Sequence, residues 1–173
     1  KKMIVLVLGF LLFISLVGCQ EGTINSWSKV EDRGYFIVGL DDTFAPMGFR
    51  DNDGNLVGFD VDLAKEVSSR LGVEVRFQPI DWDSKVLELN AGTIDMIWNG
   101  LTITSSRQEE MLFSQPYLVN TQMIITQSDS SIETIADLTN KKVGVQITSA
   151  SEEAVVANSI YSELDELVKF DTF

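Results

Sequence analysis

"GFDVDLAKEVSSRLGVEVRF", residues 58–77, changes its hydrophobic period part-way along, and that change decides the fold class. Leu63, Ala64, Val67 and Leu71 recur at three- and four-residue spacing, which is one face of an α-helix. Asp60 and Asp62 fall in the first turn, where the positive end of the helix dipole favours carboxylates, and Gly72 supplies the stop. From Val73 to Phe77 apolar and polar residues alternate, the period of a strand. A helix running straight into a strand is half of a β-α-β unit, so another strand should precede it.

"YFIVGL" (35–40) is that strand. Between the two, "APMGFRDNDGNLVGF" (45–59) reads as turns, with a hairpin turn at Asp53-Gly54. Part of it looks like a calcium loop, but with Gly54 as the obligatory sixth residue Phe49 would hold the first position, where a carboxylate is needed. No metal site is expected. Downstream, "WDSKVLELNAG" (82–92) places Val86 and Leu89 on one helical face before Gly92, and "IDMIWNG" (94–100) reads as a third strand. Ser105 to Met111 suits a short helix, opened by a capping box of Ser105 with Gln108 or Ser106 with Glu109. "LVNTQMIIT" (118–126) reads as a further strand. After a polar break the alternation restarts: a helical turn at Ile135–Leu138, a strand at Lys142–Gln146, a helix at Ser149–Ala157 and a strand at Leu167–Phe170. The acid-rich 152–166 stretch reads as a solvated helix face. The pattern is that of an α/β protein with parallel strands and right-handed crossovers. It implies a first lobe over residues 34–121 and the beginning of a second over 122–173.

The 173 residues are 45% hydrophobic and 23% charged, enough to build a core. Lys1 and Lys2 precede an apolar run from Met3 to Val17, too short for a comfortable membrane span and shaped like a secretory signal, so residues 1–18 are expected to be removed. Cys19 is the only cysteine, which excludes a disulfide and a cysteine metal cluster. Residues 19–33 are polar and aperiodic, suiting a tether. The net charge of −13 becomes more negative without the two leading lysines, and such a surface repels nucleic-acid phosphates. Histidine is absent, which removes histidine-based nucleophilic catalysis and the commonest zinc ligand. No cofactor is expected.

Ligands of open α/β sheets bind beyond the carboxyl ends of the strands. There the first strand offers Asp41 and Phe44, the second Trp82, and the third Asn99, Gly100, Thr102 and Arg107. The first strand of the second lobe offers Gln146, Thr148 and Ser149. One carboxylate, two aromatic faces, one guanidinium and several small hydrogen-bonding groups match a zwitterion with a side chain. Arg107 presents a two-toothed fork to a carboxylate, Asp41 accepts from an ammonium, and Phe44 and Trp82 sandwich the remainder. Asp60 and Asp62 read as helix-end residues and not as ligand contacts, and Trp98 as core.

"GFDVDLAKEV" (58–67), with "DDTFAPMGF" before it and "NGLTITSSR" after it, resembles the amino-acid-binding family of extracellular solute-binding proteins, the receptors of ABC importers. "VGVQ" (143–146) stands where that family's second lobe begins, and the resemblance covers roughly residues 34 to 173. It implies a two-lobed type II periplasmic-binding fold, an amino-acid ligand and a membrane permease as partner. It makes Arg107 the α-carboxylate arginine, Thr102 the hydroxyl beside it, Asp41 and Phe44 first-lobe contacts and Trp82 a stacking position. Leu16-Val17-Gly18-Cys19 resembles the bacterial lipobox, which implies a lipid on Cys19 and an extracytoplasmic, membrane-tethered protein. The chain departs from the family at Asn99-Gly100, where small hydroxyl residues are usual, and at Thr148-Ser149-Ala150, which lacks the usual leading glycine. The family carries a second acidic residue for the ammonium further along, so the chain is expected to be an N-terminal fragment that binds ligand poorly alone. Two rival functions share the fold: a dehydratase acting on arogenate or prephenate, and the input domain of a sensor.

Overall fold

The computed structural model describes residues 26–172. The signal segment, Cys19 and the start of the tether lie outside these residues. The described residues fall into two compact units that divide between Arg33 and Gly34. In the first, the supposed tether contains a helix, α1 (Ser26–Arg33). Trp27 and Val30 stand three apart and Arg33 lies in the last turn, facing the negative end of the dipole, so local spacing overrides the polar composition.

The second unit is built on β1 (Tyr35–Leu40), β5 (Glu74–Pro79) and β6 (Met96–Ile97), a parallel sheet in the order β5-β1-β6. β1 is central: Val38 pairs with Phe77 on one side and with Met96 on the other. Its Phe36, Val38 and Leu40 are buried almost completely, which is why this strand reads as apolar nearly throughout. The third strand is shorter than the 94–100 reading, although Asp95 N–H still donates to Ile37 (2.9 Å) and Trp98 N–H to Gly39 (3.2 Å). Beyond Trp98 the chain turns out of the ladder at Gly100, with φ +58°.

The turn-rich segment forms a small antiparallel sheet, β2 (Thr43–Phe44), β3 (Gly48–Arg50) and β4 (Leu56–Val57), with the expected turn closed by Gly54 N–H on the Asp51 carbonyl. Helix α2 (Phe59–Leu71) follows, packed on β5 and on β3 and β4. Its buried stripe runs through Val61 and Ala64, whereas Leu71 in the last turn is exposed. No side chain caps its start. Instead Phe59 N–H donates to the Pro46 carbonyl and Asp60 N–H to the Met47 carbonyl, both at 2.9 Å, so the preceding loop satisfies the free amides. A 3₁₀ turn (Trp82–Ser84) leads into α3 (Lys85–Ala91), which packs on β6.

Helix α4 (Ser105–Glu110) is capped by Thr104, whose Oγ1 accepts from Arg107 N–H, and not by Ser105 or Ser106. The strand expected at 118–126 does not form. A strand exists only where its amides find a partner strand, and among the described residues 118–126 pair with none and lie exposed. The second alternation holds. A 3₁₀ turn (Ile135–Leu138), β7 (Lys142–Gln146), α5 (Ala150–Ala157) and β8 (Glu166–Phe170) follow in order, and β7 pairs with β8 in parallel. Among the described residues no helix is long and apolar enough to cross a membrane.

Candidate functional site

The segments leaving β1, β6 and β7 at their carboxyl ends meet, and two clusters of polar side chains form there. The first is centred on Asp41, which is buried. One of its carboxylate oxygens accepts from Thr43 N–H (2.9 Å) and Thr43 Oγ1 (2.6 Å), and the other from Gln146 Nε2 (2.7 Å). Asn99 locks the same turn, accepting from Asp41 N–H (3.1 Å) and donating back to the Asp41 carbonyl. Both carboxylate oxygens of Asp41 are therefore engaged by protein donors. Asn99, 2% exposed, is spent on backbone and serves as a strut between β1 and the segment after β6.

The second cluster is centred on Arg107, only 7% exposed. Its Nη1 donates to the Thr102 carbonyl (2.8 Å) and its Nη2 to the Thr148 carbonyl (3.0 Å). The fork thus spans from the segment after β6 to the segment after β7. Burial holds its pKa below the ordinary arginine value, with Glu153 and Glu110 pulling the other way. Thr148 sits at φ +52°, a conformation uncommon for a side chain of its kind. Its N–H donates to Glu152 Oε2 (2.6 Å), and Ser149 accepts from Glu152 N–H to cap α5. Those amides are already used, so no free amide nest opens at Thr148-Ser149. The Thr102 hydroxyl accepts from Asn120 Nδ2 (2.6 Å). Phe44 lies over Gly100, so close that a Cβ there would stand 3.2 Å from its ring. An open groove of about 510 Å³ runs along Arg107, Thr148 and Ser149, between the ends of α3, α4 and α5.

Residues 36–171 match the model of the bacterial extracellular solute-binding proteins, family 3. The chain belongs to this family. Two relatives are the L-cystine-binding protein TcyJ of Escherichia coli, 37% identical over 136 residues, and the arginine-binding extracellular protein ArtP of Bacillus subtilis, 33% identical over 153. The matched regions cover 78% and 88% of this chain and 50% and 58% of those proteins. The chain thus spans about half the length of the curated relatives it matches. Among solved structures, a substrate-binding protein of an ABC uptake transporter from Streptococcus pneumoniae, with bound histidine, superposes with a TM-score of 0.83 at 40% identity. That superposition covers 87% of this chain and 63% of the other. The fold is the type II fold of such periplasmic amino-acid-binding proteins, and these relatives are named as binding proteins.

Two residues of this family-3 chain take roles that the sequence did not disclose. Asp60, at the start of α2, is 1% exposed and reaches the segment after β6. Its Oδ2 accepts from Gly100 N–H (2.6 Å) and its Oδ1 from the Tyr117 hydroxyl (2.8 Å). Burial pushes this carboxyl above its usual range, while Tyr117, Gly100 and the nearby Trp98 indole oppose the shift. Tyr117 is raised in turn, by burial first and by Asp60 second, and its ring meets Trp98 edge-on at 6.4 Å. Asp60→Asn offers one carbonyl oxygen where two acceptors are used, so it should destabilise the fold by about 1–3 kcal/mol. Because the folded-state pKa is raised, the wild type loses stability as pH climbs from the unfolded carboxylate value through the folded one. Thermal unfolding of the two proteins should therefore differ more at pH ~4 than at pH ~7. A gap that widens with pH would contradict this reading.

Lys85 is the second such residue. It is 3% exposed, and its Nζ donates to the Trp82 carbonyl (2.8 Å), the Thr148 carbonyl (3.2 Å) and Thr148 Oγ1 (2.9 Å). The ammonium also stands over the Trp82 ring, 5.1 Å from its centre. A signal for its burial was present, since Lys85 lies four residues before Leu89 and shares its helix face.

Proposed function

We propose that the protein is an extracytoplasmic receptor that captures an amino acid and delivers it to the permease of an ABC importer. The observation that carries the reading is the Arg107 fork, buried, held by carbonyls only and set where the ends of β6 and β7 converge. A carboxylate is a stronger partner for a guanidinium than a carbonyl is, so the ligand's α-carboxylate would draw Arg107 away from Thr148. Phe44 and Trp82 flank the side-chain end, and the ammonium would approach Asp41 by replacing Gln146. Residues 34–121 and 122–173 are the two lobes, closing on ligand by hinge motion about the segments between them. The relatives' cystine, arginine and histidine set the first candidates for the ligand.

The receptor captures and does not turn over. The support is that the relatives are named as binding proteins, and that the carboxyl of Asp60, raised by burial, has both oxygens engaged by Gly100 and Tyr117. A thermal-shift screen of the full-length protein against the common amino acids and cystine should give a rise in melting temperature with at least one of them. Conversion of arogenate or prephenate without any such rise would favour the enzyme.

Residues 1–18 act as a signal and Cys19 carries the lipid that tethers the receptor to the membrane. The support is the Leu-Val-Gly-Cys stop after the apolar run. Cys19→Ala should abolish labelling by a radiolabelled fatty acid and release the protein from membranes. Labelled, membrane-bound Cys19→Ala protein would remove the lipid assignment.

A further inference from the structure

Lys85 and Arg107 come from different helices, are both more than nine-tenths buried, and share one acceptor, the Thr148 carbonyl oxygen. Among the described residues neither forms an ion pair: the carboxylates of Asp83, Glu110, Glu152 and Glu153 line the same groove without reaching either cation. Two buried cations converging on one neutral oxygen is an expensive arrangement, because buried charges are normally balanced by opposite ones. An anion is the partner such a pair accepts most readily.

We propose that Lys85 is a ligand-binding residue, and that the ligand's α-carboxylate sits between Arg107 and Lys85, one oxygen on the guanidinium fork and the other on the ammonium in place of the Thr148 carbonyl, the longest of its three contacts (3.2 Å). The inference rests on the amino-acid-receptor reading above and adds a second cation to it. The Trp82 ring beneath the Lys85 ammonium fixes that nitrogen beside the ligand's stacking platform. Burial and then the neighbouring Arg107 push Lys85 down to about 8, against the pull of Asp83 from its own turn, Glu110 from α4 and Glu152 from α5. The sign for binding follows. The carboxylate bonds the protonated ammonium, so affinity is full below about pH 8 and falls as pH rises beyond it.

The test is calorimetric titration of the full-length wild type, Lys85→Met and Lys85→Arg from pH ~6.5 to ~9, using every proteinogenic amino acid that raises the wild-type melting temperature. Lys85→Met should weaken each of them by about tenfold, the loss of one charge-assisted bond, and should lack the additional decline that the wild type shows above pH ~8. Lys85→Arg should keep wild-type affinity at pH ~7 and retain it at pH ~9, since guanidinium stays charged. The ligand's own ammonium titrates alike with all three proteins, so only differences between them count. Lys85→Met binding within twofold of wild type, or weakened only for ligands with a second carboxylate, would overturn the proposal. If Lys85→Met does not fold, Lys85→Arg decides: a decline above pH ~8 equal to the wild type's overturns it. A wild type that binds no amino acid refutes the receptor reading itself, a different failure from these.

Discussion

Arg107→Ala is expected to weaken every amino-acid ligand of the full-length protein by about two to four orders of magnitude. Two charge-assisted bonds to a desolvated carboxylate stand to be lost, and the carboxylate would remain buried without its main partner, which costs about 3–5 kcal/mol in all. The side chain is already buried and aimed, with Nη1 and Nη2 on the Thr102 and Thr148 carbonyls, so little ordering has to accompany ligand capture. Arg107→Lys keeps the charge without the fork and should recover only part of the loss. Because the carboxylate is common to all amino acids, the ranking of ligands should survive the change. Substitution of Trp82 or Phe44, proposed above to flank the variable part, should reorder it. Isothermal titration against the amino acids of the thermal-shift screen measures both effects.

Gly58→Ala is expected to destabilise the fold by a comparable amount, about 3–5 kcal/mol, from backbone strain and overpacking together. Gly58 has φ +136°, a region that residues with a Cβ rarely enter. A Cβ there would run into the Met47 carbonyl, which accepts from Asp60 N–H. Relief would require pulling the Pro46-Met47 loop off the start of α2, unpairing the amides of Phe59 and Asp60 and shifting Asp60 away from Gly100. Both melting temperature and ligand affinity should therefore fall. Chemical denaturation that leaves the midpoint unchanged would contradict the role assigned to this glycine.

The sequence disclosed what is local. Tyr35–Leu40, Phe59–Leu71, Lys142–Gln146 and Ala150–Ala157 follow from hydrophobic period and from punctuation by Gly72 and Ser149. It also brought several of the residues it singled out to one sheet end: Arg107, Thr102 and Thr148 are joined by hydrogen bonds, as are Asp41, Asn99 and Gln146. Partnerships made across the fold were hidden. Asp60 looks like any acidic residue in a first helical turn, because its partners Gly100 and Tyr117 lie 40 and 57 residues away. Lys85 meets Thr148 across 63 residues, and its place on the Leu89 face of the helix, though it hints at burial, names no such partner. The 118–126 stretch fails for the opposite reason. Its composition favours a strand, but a strand depends on a neighbour, and composition carries no information about that. The hydroxyl that caps α4 belongs to Thr104, one residue before the two serines that fit the capping pattern.

The most direct measurement compares the full-length protein's affinity for the amino acid selected by the thermal-shift screen with its affinity for the corresponding amino-acid amide and decarboxylated amine. Loss of the carboxylate removes the partner proposed for Arg107, so both analogues should bind at least about a hundredfold more weakly than the parent amino acid, and Arg107→Ala should shrink that difference to severalfold. Equal affinity of wild type for the acid and its amide would show that no carboxylate is read at this site.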